Sequence, residues 1–242
     1  GQRVLVEARG EILNIPADEG DPVNLTRTSG SRERGAVWSP DGKHVAFISD
    51  RSGEEQIYLT DQLGQNEWNQ VTDGFYGYIL PLSWSPDSKH LVFSDKFMNL
   101  NLVDVIAGKV SVIAHSDFDE GWERWGIQDY VWSPDSQWIV FTSNGENMNE
   151  TINLYNLKEK ETHLLTDEMS TSWSPSFSPN GEYLYFLSNR TFNPIMGRQD
   201  QNHVFLKMAL PYVVLLRDGV RSPFYTDDVL VSAGDDEDGD EE

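Results

Sequence analysis

Five histidines, a recurring serine and forty acidic residues are the side chains of this chain with the intrinsic reactivity for catalysis or metal binding. His44 and His90 each stand six residues after the start of a Trp-Ser-Pro-Asp turn, and Trp138 and Tyr183 hold the same place after two further turns. A metal ligand or a general base does not interchange with Trp, so this slot reads as packing or surface. His115, His163 and His203 lack an HxxxH or HxH partner, and zinc requires several converging ligands. No metal ligand is assigned.

The serines and aspartates read the same way. Ser39, Ser85, Ser133 and Ser178 all belong to the repeated turns, and no G-x-S-x-G elbow or glycine-rich phosphate loop occurs. Asp41, Asp87 and Asp135 have Asn180 as their fourth equivalent. Turn chemistry tolerates that exchange, whereas a catalytic carboxylate does not. Carboxylate pairs of the kind used in glycoside hydrolysis arise by chance among so many acids, and none stands out. Arg124, Arg198, Arg217 and Arg221 could hold carboxylates through bidentate contacts, against the plainer reading of surface arginines. No catalytic or cofactor-binding residue is assigned, and no cofactor is expected.

What positions these residues is a repeat. WSPDG at Trp38 returns as WSPDS at Trp84 and Trp132 and as FSPNG at Phe177, in steps of 46, 48 and 45 residues. A period in that range suits one four-stranded propeller blade. Seven residues after each start sits an aliphatic (Val45, Leu91, Ile139, Leu184), and nine after it a phenylalanine (Phe47, Phe93, Phe141, Phe186). Positions two apart share one face of a strand, so this face is expected to be buried. Proline presets φ in the turn, Asp or Asn suits the next place, and Gly or Ser relieves the one after.

Composition sets the remaining bounds. The chain has 242 residues, 38% of them hydrophobic, enough for a core in one domain or one repeat array. The net charge is −22, and nine acids in the last sixteen positions still leave the rest at −13. That disfavours binding nucleic acid through a basic stripe and reads otherwise as solubility. With no cysteines, disulfides and thiolate metal sites are excluded, and the redox compartment is not readable. No apolar run is long enough for a membrane-spanning helix, so no membrane partner is expected. The N-terminus does not read as a signal peptide, and the native protein is expected to start elsewhere. Sequons at Asn24, Asn149 and Asn189 read as turn chemistry rather than glycosylation.

In chain order, residues 1–27 form a headless repeat with three strands and no opening strand. Complete repeats begin near residues 36, 82 and 130. A fourth begins near 175 and carries a long insertion, TFNPIMGRQDQNH, before ALPYVVLLRDG and VRSPF, both read as strands. DGFYGYILPL is expected to cross the top of the array. The segment 115–130 contains Trp122 and Trp125 around Glu123-Arg124, as an aromatic lid or as a ligand-contacting loop. The expected organisation is a β-propeller domain over 1–226 and an acidic disordered tail over 227–242.

The unit WSPDGKHVAFISDRSGEEQIYL resembles the repeat shared by TolB, prolyl-oligopeptidase-type and tricorn propellers. Two further stretches narrow this: GQRVLVEARGEILNIPADEGDPVNLTRTSGSRERGAVWSPDG, and FSPNGEYLYFLSNRTFNP followed by PYVVLLRDGVRSPF and an acidic run. They resemble the second propeller of tricorn-type serine peptidases. The resemblance implies an all-β fold of WSPDG-type blades, about four to five of them here, fewer than the six or seven of a closed ring. It implies a non-catalytic scaffold and peptide-guiding channel within a multidomain hydrolase. The active-site Ser and His of that family lie in later domains, and no such motif occurs here. Implied partners are peptide substrates or products and catalytic domains of the same parent chain; homo-oligomerisation stays open. A cytoplasmic location is expected, with the periplasm as the alternative. Two other readings stand beside it: a TolB-like binding propeller with no enzymatic partner, and a propeller enzyme acting on sugars or lactones through carboxylates or a central cation.

Overall fold

Every Ser-Pro-Asp/Asn turn is closed by the same local bonds, which is why strands follow it so regularly. In the first, Ser39 Oγ donates to Asp41 Oδ1 at 2.7 Å and accepts from the His44 N–H at 3.0 Å. The Asp41 carboxylate also accepts from the Lys43 N–H at 3.1 Å. The pattern recurs through Ser85, Ser133 and Ser178, each donating at 2.6 Å to Asp87, Asp135 or Asn180. The fifth turn residue takes positive φ: 70° at Gly42, 61° at Ser88, 59° at Ser136 and 66° at Gly181.

The computed structural model describes residues 2–118, 126–191 and 208–225, and the backbone of 194–196 and 203–205. No helix occurs among them. Blade one holds β1 (Arg3–Ala8), β2 (Glu11–Pro16) and β3 (Val23–Asn24). Blade two holds β4 (Glu33–Trp38), β5 (His44–Ser49), β6 (Gln56–Asp61) and β7 (Asn69–Gln70). Blade three holds β8 (Ser83–Trp84), β9 (His90–Ser94), β10 (Asn99–Asp104) and β11 (Lys109–His115). Blade four holds β12 (Ile127–Trp132), β13 (Trp138–Asn144), β14 (Glu150–Asn156) and β15 (Glu161–Leu164). Blade five pairs β16 (Ser172–Phe177) with β17 (Tyr183–Ser188), and β17 with β20 (Leu210–Leu215). Between β17 and β20 the insertion forms its own hairpin, β18 (Pro194–Met196) and β19 (His203–Phe205). All the pairings are antiparallel and follow chain order, so each sheet is an up-and-down meander. The architecture is a β-propeller.

One expectation is corrected here. Residues 220–224 (VRSPF) are not a strand: the Tyr225 N–H donates to the Ser222 carbonyl, closing a turn around Pro223, which has no N–H to give a ladder.

A second is enlarged. The aliphatic and Phe positions are buried as the pattern predicts, from 0% exposure at Val45 and Phe47 to 5% at Phe186. The residues between them are buried as well, because each inner blade is sandwiched. Val45 and Phe47 pack with Ile12 and Leu25 of blade one, whereas Ala46 and Ile48 pack with Leu91 and Phe93 of blade three. Val92 and Val140 turn in the same sense toward blades four and five. Strand alternation therefore assigns successive residues to opposite neighbours. Each fully buried aliphatic or Phe contributes about 1.5–3 kcal/mol. The four buried clusters join blades one to five in series.

Polar contacts join the first strands across the seams. Trp84 Nε1 donates to the Val37 carbonyl at 3.4 Å, and Trp132 Nε1 to the Ser83 carbonyl at 3.2 Å. The Asp41 N–H donates to Ser88 Oγ at 3.0 Å, and the Asp87 N–H to Ser136 Oγ at 3.1 Å. β4, β12 and β16 each carry a bulge three residues before the turn aromatic, at Gly35, Asp129 and Ser174, all with positive φ. The bulges face neighbours: the Ser174 N–H donates to Asp129 Oδ2 at 2.9 Å, and the Ala36 N–H to Glu7 Oε1 at 3.2 Å. Pro81 takes that place in blade three, where β8 shortens to two residues.

Candidate functional site

In an up-and-down blade the Ser-Pro-Asp/Asn turns lie at one end, and the loops between second and third strands lie at the other with the blade-to-blade connections. The turn end takes up most of the residues with catalytic potential. The turn serines are engaged with their Asp or Asn, as above. His90 stacks on Trp132 with ring centroids 6.1 Å apart, and its buried Nδ1 has no hydrogen-bond partner among the described residues. Trp138, in the same slot, sits 6.2 Å from the His163 ring. The slot is a packing position in both, across a seam at His90 and within blade four at Trp138.

The buried carboxylates among the described residues are Glu33 and Asp95, and both are saturated with donors. Glu33 accepts from the hydroxyls of Thr28, Ser31 and Ser49. Asp95 accepts from the N–H groups of Phe97 and Asn99 and from the Asn101 amide, which fixes the β9–β10 hairpin. Glu55 pairs with Arg34 at 2.5 Å, and Arg34 also donates to the Ile79 carbonyl at 2.7 Å. These groups hold loops in place. Asn24 is bonded within its turn, to the Thr26 and Arg27 N–H groups, and Asn149 reaches across to Glu168 and Thr171 on the connection to blade five.

One metal-compatible group escaped the search by histidine spacing. Glu159, Glu161 and His163, at the β14–β15 turn, bring ligand atoms within 4.8 Å of one another, and all are exposed. The alternation Glu-x-Glu-x-His places strand residues on one face, the signal that could have found it. Exposed acids cluster in this way without metals, and no cofactor or metal role rests on it.

The opposite end is where a partner could be read. DGFYGYILPL does run across this end. Tyr76, Tyr78 and Phe97 are 66%, 45% and 52% exposed. They are held by backbone: the Lys96 N–H donates to the Tyr78 carbonyl at 3.2 Å, the Leu80 N–H to the Ser94 carbonyl at 2.9 Å, and Ile79 bridges Asp95. The Arg34 guanidinium lies 4.0 Å from the Tyr78 ring centroid. Gly77 has a φ of 92°, in the region that favours glycine, and lies against the movable end of the Lys96 side chain. Tyr76, Phe97 and Phe75 line an open cavity of about 310 Å³ with Asn99, Val110 and Val112. Aromatic groups on loops fixed by a rigid scaffold suit contact with extended chains, since they offer large area at small entropy cost.

Trp122, Glu123, Arg124, Trp125, Arg198 and the acidic tail lie outside the described residues. Arg221 stands over the Tyr225 ring at 5.4 Å, and Arg217 lines a cavity at the turn end. No motif marked the Tyr76–Phe97 rim in the sequence, because it depends on two loops of different blades.

Residues 1–242 match the family of tricorn protease second beta propeller domains. The chain is 25% identical over 216 residues to the tricorn protease homolog of Saccharolobus solfataricus, covering 89% of this chain and 19% of that protein. It superposes on the crystal structure of the tricorn protease with a TM-score of 0.79 at 21% identity, over 92% of this chain and 21% of that one. The putative TolB of Agrobacterium tumefaciens superposes with a TM-score of 0.57 at 20% identity, over 90% of this chain and 87% of that one. The chain spans between 15% and 24% of the length of the curated relatives it matches.

Proposed function

This chain belongs to the family of tricorn protease second β-propeller domains, and from that premise we propose that it serves a multidomain peptidase without doing chemistry itself. Catalytic domains of the same parent chain carry out hydrolysis, and the propeller scaffolds them and guides extended peptides across its loop-bearing end. The observation that carries this reading is the match over the whole chain. Local geometry supports it: the serines and buried carboxylates of the blades are engaged in turns and loops, while the aromatic rim at Tyr76, Tyr78 and Phe97 is exposed on a fixed frame.

The chain alone, incubated with a panel of fluorogenic peptides, is expected to release no fluorophore. It is expected to bind those peptides in a way that Tyr76→Ala with Phe97→Ala weakens. Hydrolysis blocked by a serine-directed inhibitor would sink the non-catalytic reading. The likeness to TolB supports a second reading, a binding propeller with no peptidase attached. The reading frame after Glu242 separates the two: a PDZ-like segment and a Ser- and His-bearing α/β domain favour the first, and an immediate stop favours the second.

A further inference from the structure

At the seam of blades four and five, three of the repeated contacts are missing at once, and a cavity of about 240 Å³ stands there. Phe177 replaces the turn Trp, so no indole N–H is available for the blade-four carbonyl. Gly181 replaces the turn serine, so the Asp135 N–H has no hydroxyl opposite it of the kind that Ser88 and Ser136 present to Asp41 and Asp87. Gln137 replaces the lysines that pair with Asp41 and Asp87 at 3.4 and 3.5 Å, so one carboxylate oxygen of Asp135 lacks a counter-ion. Its other oxygen accepts from Ser133 Oγ at 2.6 Å and from the Gln137 N–H at 3.1 Å.

The cavity has both polar and apolar walls. Trp138, Leu154, Phe177 and Leu216 are the apolar side, and Arg217 and Asp135 stand on the polar side. Arg217 is exposed and has no hydrogen-bond or ion-pair partner among the described residues. An unpaired guanidinium beside an apolar slot, with a backbone N–H left over, is suited to a carboxylate attached to an apolar group.

We propose that this seam is a binding site for an α-carboxylate bearing an apolar side chain, with Arg217 and the Asp135 N–H holding the carboxylate and Trp138, Phe177 and Leu216 enclosing the side chain. Two sources carry that chemistry: a free apolar amino acid, and the C-terminal residue of a peptide. They differ at the nitrogen. A free amino acid brings an ammonium group for the unpaired oxygen of Asp135, and a peptide end brings an uncharged amide. The site lies at the turn end, apart from the aromatic rim, and does not depend on peptides being guided there.

Isothermal titration of the chain with leucine, N-acetyl-leucine and leucinamide tests it. At least one of the two carboxylates is expected to bind, and leucinamide is not. Binding by leucine alone identifies the free amino acid, whereas comparable binding by N-acetyl-leucine identifies the peptide end. Arg217→Ala, an exposed change, is expected to weaken the carboxylate by about tenfold or more, the size of a charged hydrogen bond. Gly181→Ser supplies the hydroxyl found at the sister seams. Ser88 and Ser136 already adopt this φ, and a Cβ at Gly181 meets its nearest neighbour at 3.8 Å, so the variant is expected to fold and to lose binding. Leucinamide binding as tightly as leucine, affinities unchanged in both variants, or no heat from either carboxylate up to about 10 mM would each overturn the proposal.

Discussion

The seams between blades two and three and between three and four are built alike, and the seam between four and five is not. At the first two, a turn tryptophan donates to the carbonyl before its counterpart, and a turn serine accepts from an aspartate N–H one blade back. At the last, Phe177 and Gly181 can do neither. Its blades nevertheless pack through Val140, Ile152, Leu184 and Phe186, and a bulge contact joins Ser174 to Asp129. Apolar alternation therefore stacks the blades, and the turn contacts are additions to it. Where they are absent, space opens at the turn end without separating the sheets.

The largest expected effect tests that order of importance. Phe93→Ala, at 0% exposure between blades two and three and edge-on to Phe75, should cost about 3–5 kcal/mol in chemical denaturation. Phe186→Ala, at the same repeat place but 5% exposed, should cost less. Equal losses would break the distinction between inner and outer seams.

Next in size is Arg34→Ala, which leaves Glu55 with the Ile79 N–H but no counter-ion, frees the Ile79 carbonyl and removes the support beneath Tyr78. A loss of about 3 kcal/mol is expected, the low end for a pair that is not fully buried. A loss indistinguishable from that of an exposed arginine such as Arg32 would show the anchor to be idle.

Smaller effects come from converting one seam into the other. Trp132→Phe should cost about 1–2 kcal/mol, through the lost indole bond and the smaller ring left at a buried site. Phe177→Trp should recover stability only if the blade-four carbonyl can reach it. If Trp132→Phe shifts the thermal midpoint no more than Trp173→Phe, the repeated bond contributes nothing.

The smallest effect is on acid stability. The Ser39 hydroxyl and the Lys43 N–H hold the Asp41 carboxyl below its ordinary value. At Asp87 burial pushes upward but is outweighed by the Ser85 hydroxyl and by Lys89, so it too is lowered. A group depressed in the folded state contributes stability that is complete above the unfolded pKa of 3.8 and is lost as pH falls through the folded value. Ser39→Ala with Ser85→Ala should therefore flatten the fall of the thermal midpoint below about pH 4. An unchanged acid limb would mean that these turns do not contribute to it.

Much of this could be read without coordinates. The spacing of Trp38, Trp84, Trp132 and Phe177 determined the blades, and the alternation around Phe47 and its equivalents determined which residues leave water. Exchange of His with Trp and of Asp with Asn within one repeat slot pointed to packing and turn roles for those positions. Periodic sequence carries these facts because a turn and its strands are local, and each repeat restates the rule. Tertiary structure alone decided what happens between blades. It buried both faces of the second strands, since a neighbour on either side cannot be read from one strand. It brought Tyr76 and Phe97 to one rim, and it gathered Phe177, Gly181 and Arg217 with the Asp135 turn around one cavity. In the sequence those three are scattered along the chain. They acquire a meaning only where the chain, some forty to eighty residues after Asp135, sets them against its turn.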